Sequence, residues 1–190
     1  MGKSYSYRDI ISEYTQALQC IDELTQTSED LFLLKPDSNT WSANEIFKHL
    51  RRFNNLYIRS IDQIQKGSKD ITVTNPQFKP SLPAVIIIKI MEPPYKLKIP
   101  TLAPMYPKAS AETGMQSTTM DLRETNKMAI ERLNELKSNA VDIDKLKGRH
   151  PVFKFLRMSL TDLFLVMSSH QRRHLWQAEQ TLHRLSDNHS

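Results

Sequence analysis

The chain has 190 residues, with 26 Lys plus Arg against 21 Asp plus Glu, six His, ten Pro and one Cys. That length and an apolar share of 39% point to one domain over 1–190 with a real core, and they exclude disordered, collagen-like and membrane-spanning classes. A single Cys excludes an internal disulfide and any thiolate-rich metal cage, so a reducing, cytoplasmic setting is expected and a bound metal must be held by imidazole and carboxylate.

The first 20 residues mix charge and aromatics (Lys3, Tyr5, Arg8, Asp9, Tyr14) and read as no secretory segment. Met1-Gly2-Lys3-Ser4-Tyr5-Ser6 fits the loose myristoylation pattern, for which coincidence is the plainer explanation. Apolar residues Ile10, Ile11, Tyr14, Leu18, Ile21 and Leu24 then recur at helical spacing, predicting a first helix over about 5–26. The short apolar stretch Leu31–Leu34 is followed by a turn, Lys35-Pro36-Asp37-Ser38-Asn39.

Ser42 and Glu45 form a capping box that opens the second helix. Ile46, His49, Leu50, Phe53, Tyr57, Ile61 and Ile64 trace one face up to a stop at Gly67. A histidine therefore lies inside an apolar stripe. Residues 70–116 hold eight of the ten prolines, which leaves no room for a long helix and reads as a crossover packed on the bundle. Within it, Ala84–Ile90 fits a short helix or a strand, and it begins with the longest apolar run, Ala84–Ile88, far short of the ~20 residues of a membrane helix. The third helix is predicted over about 118–136, with Leu122, Asn126, Ala129, Ile130, Leu133 and Leu136 facing inward. A second linker, 138–158, contains Gly148 and the His150-Pro151 step. The fourth helix opens on Ser159 and Asp162, and Leu163, Val166, Met167, His170, His174, Gln177 and Thr181 share one side. The fold class is thus all-α, a four-helix bundle with a long Pro-rich crossover between the second and third helices.

Charge divides into neutral stretches (1–69 and 117–148) and a diffuse excess in 70–116 and 149–190, with no long Lys or Arg run. A nucleic-acid footprint needs clustered basic residues, so no nucleic-acid partner is expected, and no membrane partner either.

His170 and His174 are four apart on one helix, which lets both imidazoles reach one ion at about 2.0–2.1 Å. His170-Gln171-Arg172-Arg173-His174 has the spacing of H-E-x-x-H but carries Gln171 where the general base would stand, which disfavours that kind of metalloprotease. His49 adds a third inward imidazole from another helix, and bundles build metal sites from facing helices. A hydrogen-bonded structural role is the competing reading for each histidine alone. His150, His183 and His189 look ordinary. Arg173 and Gln177 are candidates for contacting an anionic substrate or orienting a ligand, with interhelical or solvated roles as alternatives. Trp41 and Trp176 read as packing residues ahead of pocket residues.

The stretch Trp41-Ser42-Ala43-Asn44-Glu45-Ile46-Phe47-Lys48-His49-Leu50, followed by His170-Gln171-Arg172-Arg173-His174-Leu175-Trp176-Gln177, resembles the DinB/YfiT family of bacterial four-helix bundles. The patterns are W-S-x-x-E-I-x-x-H-L and H-x-R-R-H-x-x-Q, and the resemblance spans essentially the whole chain. It implies an up-down-down-up bundle and a divalent metal, nickel or zinc, held by His49, His170 and His174. Some members of the family are metal-dependent transferases that use a low-molecular-weight thiol such as bacillithiol or mycothiol, and others are described as hydrolases. A small-molecule substrate is therefore expected, any reactive thiol being the substrate's own, and a homodimer is plausible because relatives often pair. A noncatalytic bundle used for binding or dimerisation is the alternative.

Overall fold

The computed structural model describes residues 3–67, 71–94 and 114–187. It is mostly helical, and each expected helix has a local cause. α1 (Tyr7–Leu24) starts on a reciprocal cap between Ser6 and Asp9. Ser28 caps the short α2 (Glu29–Leu33), a helical turn where the sequence showed only an apolar stretch. α3 (Ala43–Lys66) opens on the Ser42–Glu45 box, with Glu45 N–H donating to Ser42 Oγ at 3.2 Å and Ser42 N–H to Glu45 Oε2 at 3.0 Å, and ends at Gly67.

The ambiguous Ile-rich segment is helical: α4 (Leu82–Met91) has Pro83 in its first turn, where a missing N–H costs nothing. The expected crossover continues into 95–113, which lies outside the described residues. α5 (Met115–Ser138) begins three residues before its expected start, because Glu29 of α2 accepts from Met115 N–H at 2.9 Å and so caps it from a distance. A Cβ on Gly114 would sit 2.5 Å from that carboxylate oxygen, so a larger residue here would push the Glu29 side chain off the helix start.

The second linker is not plain coil. It folds into an antiparallel hairpin of β1 (Lys147–Arg149) and β2 (Arg157–Ser159). α6 (Leu160–Asp187) follows directly, with Asp162 N–H donating to Ser159 Oγ at 3.1 Å and Ser159 N–H to Asp162 Oδ2 at 3.0 Å.

The four long helices pack in a cycle, α1 on α5, α5 on α3, α3 on α6 and α6 on α1. Named contacts give their directions. Tyr7 at the start of α1 donates to Val141 O just past the end of α5, while Asp22 near the end of α1 pairs with Arg123 near the start of α5, so these two are antiparallel. Asn54–Thr125 and Asp62–Arg132 advance together, so α3 and α5 are parallel. His49 and Phe53 meet His174 and His170 in reverse order, which makes α3 and α6 antiparallel.

Apolar packing forms two clusters. One holds Tyr14, Phe53, Tyr57, Ala129, Leu133, Phe164 and Met167; the other holds Ala17, Ile46, Leu50, Leu122, Leu175 and Ala178. Buried polar groups lie where the clusters meet: Thr125 and Asn126 on α5 and His170, Gln171 and His174 on α6 fall between them, with His49 and Asn54 of α3 close to the same boundary. Asn54 Oδ1, Asn126 Oδ1 and both amide atoms of Gln171 find no protein partner.

Candidate metal centre

The polar level is where α3 and α6 bring the expected histidines together. His49 comes from α3, two turns past its cap, and His170 and His174 lie one turn apart on α6. All three are buried, and each offers a ring nitrogen within 4.8 Å of the others'. His49 Nε2 lies 3.4 Å from His170 Nε2. Two nitrogens bound at a tetrahedral angle to one ion, each about 2.0–2.1 Å away, stand about 3.4 Å apart. The donor set and its spacing fit a divalent cation.

Burial pushes the His174 imidazolium down to about 3, with repulsion from His49 and Arg173 acting in the same direction. Burial likewise pushes His170 well below its ordinary value, aided by His174, His49 and Arg173. Both rings are therefore neutral at pH 7, the form that donates a lone pair. Gln177 Oε1 accepts from His174 Nδ1–H at 2.9 Å, which fixes the tautomer and leaves Nε2 for a ligand. His170 Nδ1 is buried with no protein partner.

Aromatic rings hold the cluster in place. Phe53 stacks on His170 with centroids 3.6 Å apart and planes 10° apart. Trp41, just before α3, lies 5.2 Å from the His49 ring and stacks 6.5 Å from His174. The tryptophan expected mainly to pack thus also walls the site, whereas Trp176 is simply half-buried on α6.

The two arginines between the histidines work as tethers. Arg172 pairs with Glu13 of α1 and Glu92 at the end of α4. Arg173 donates to Ile90 O of α4 at 3.2 Å and is buried. The interhelical alternative describes Arg173, and Arg172 has the same kind of role. Cys20 lies in a groove between α1 and α6 with Glu23, Glu179 and His183, and burial, then Glu179 and Glu23, push its thiol up to about 11. It supplies no thiolate at neutral pH.

His150 is not the ordinary linker histidine it looked. It is buried, its Nδ1 accepts from Val152 N–H (3.1 Å) and Phe153 N–H (2.9 Å), and its Nε2–H donates to Tyr57 Oη at 2.7 Å. Tyr57 in turn stacks 4.4 Å from Phe53, so a column of rings runs from the hairpin to His170. The position of His150 before a proline gave no sign of this, because its partner lies 93 residues away.

A buried set of three imidazoles from two packed helices, one oriented by a glutamine, defines a helical protein with the donors of a divalent metal centre. The chain belongs to the DinB superfamily, whose family model matches residues 12–178. Comparison with curated proteins and with solved structures yields no match.

Proposed function

We infer that the chain is a single-domain four-helix bundle in up-down-down-up order that binds one divalent ion, nickel or zinc, through His49, His170 and His174. The observation that carries this reading is the convergence of three buried ring nitrogens. The helix directions given by Tyr7–Val141, Asn54–Thr125 and Phe53–His170 support the bundle order, and superfamily membership supports the metal.

Three protein ligands leave a coordination position open, as in catalytic rather than structural sites. When bound, the ion supplies Lewis acidity that lowers the pKa of an incoming water or thiol. The chain's own residues do the rest. Gln177 holds the His174 ring by its Nδ1–H, Phe53 fixes the plane of His170, and Trp41 shields the outer edge of the site. Cys20 keeps its proton, so a thiol nucleophile comes with the substrate.

The reaction class that fits is thiol-dependent S-transfer or metal-dependent hydrolysis on a small molecule. Elemental analysis of untagged protein tests the metal: about one divalent ion per chain is expected, lost in a folded His49→Ala, His170→Ala, His174→Ala variant. Metal-free protein would sink the reading. Turnover screens with low-molecular-weight thiols and electrophiles then separate an enzyme from a noncatalytic bundle that holds a partner or a second copy.

A further inference from the structure

The linker between α5 and α6 concentrates charge that the sequence spreads thinly elsewhere. Residues 145–157 contain Lys145, Lys147, Arg149, Lys154 and Arg157 and no Asp or Glu. All five are exposed, and none forms an ion pair with a described residue. The nearest acids in sequence are engaged: Asp144 accepts from Lys79 N–H and Thr161 Oγ1–H, and Asp142 from Asp144 N–H. Arg149 and Arg157 stand directly opposite each other in the hairpin. Like charges so placed weaken a strand pair unless an anion lies between them.

The apex of the same hairpin is apolar. In Val152-Phe153-Lys154-Phe155-Leu156, Phe153 is 43% and Phe155 82% exposed, with rings 6.2 Å apart. They are the only exposed phenylalanines among the described residues. The tip is held firmly. His150 accepts two of its backbone N–H groups, and His150 N–H donates to Leu156 O at 2.8 Å. The stem is fastened to α3 by Ser60 Oγ donating to Arg149 O and by Tyr57 on His150.

We propose that this hairpin docks the protein on a lipid surface rich in anionic headgroups. Phe153 and Phe155 enter the interface while the five cations meet the phosphates. An apolar tip above a cationic stem is the segregation that such a surface rewards, since apolar burial and charge attraction act at different depths. A single-stranded nucleic acid asks for a different pattern, with open aromatic faces interleaved with cations along a groove. Here three of the five cations lie on the two strands and a fourth, Lys145, just before them, and one face of Phe153 is already stacked on His150.

The test is flotation of the full chain with phosphatidylcholine vesicles, with and without phosphatidylglycerol. Partition is expected into the anionic vesicles alone, and it should weaken as salt rises. Phe153→Ser with Phe155→Ser should abolish it, and Lys147→Gln or Arg157→Gln should each weaken it about fivefold. These side chains are exposed, and circular dichroism will show each variant folded. No partition at low salt overturns the proposal. So does undiminished partition of the double Phe variant, or retention by single-stranded oligonucleotides in place of vesicles.

Discussion

Replacing Tyr57 by Phe removes one oxygen from a core residue and leaves its ring in place. The hydroxyl is the partner of His150 Nε2 at 2.7 Å, and both residues are all but inaccessible, 1% and 2% exposed. His150 Nδ1 already accepts two backbone N–H groups, so the ring proton must sit on Nε2 and has no other acceptor. Loss of the bond costs about 0.5–1.5 kcal/mol, and an orphaned buried donor raises the penalty to about 1–3 kcal/mol. Urea unfolding should therefore show Tyr57→Phe destabilised within that range at unchanged m-value. His150→Asn keeps an acceptor for Val152 and Phe153 but removes the donor to Tyr57. In that background Tyr57→Phe should cost less than about 0.5 kcal/mol, because the lost partner is already gone. A neutral Tyr57→Phe in the parent, or an equal cost in both backgrounds, would refute the assigned tautomer and pairing.

Three further outcomes follow from the same geometry. Burial lowers His150 to about 4 from 6.5, so the unfolded chain takes up a proton that the folded one refuses; stability should fall as pH drops from about 6.5 toward 4, and His150→Asn should make that slope shallower, leaving the share of His170 and His174, in acid titrations followed by circular dichroism. A Cβ on Gly148 would lie 2.3 Å from Ile64 Cγ1, so Gly148→Ala should cost about 1–3 kcal/mol by overpacking, and pairing it with Ile64→Val should recover part of the thermal midpoint. Gln177→Leu removes the acceptor from His174 Nδ1, so competition with a chromogenic chelator should show metal affinity lower by about 10–100-fold, with helicity unchanged.

The helices were legible because their signals are local. Ser42 with Glu45 and Ser159 with Asp162 lie within one turn of each other, and the stripe from Ile46 to Ile64 repeats at helical period. The three histidines were legible because helical spacing places His170 beside His174 and the stripe places His49 inward. Whatever depends on distant chain was hidden. Glu29 caps α5 across 86 residues, and Tyr57 meets His150 across 93. Trp41 reads as core from its type alone, yet its place before α3 sets it against two ligand rings. The basic hairpin was missed for a different reason: counting charge over 117–148 and 149–190 cuts it between Gly148 and Arg149, assigning two cations to a neutral segment and three to a mildly basic one.

The polar level between the two apolar clusters has a consequence for how the molecule breathes. Amide exchange from local opening tracks how much apolar contact must be broken, and here the Phe53, His170, His49 and Trp41 rings carry packing from one cluster to the other across a boundary otherwise rich in polar groups. His49 on α3 and His170 with His174 on α6 straddle that level. A ligand joining them would act as a rivet across that boundary, so protection on both sides should rise together when the site fills.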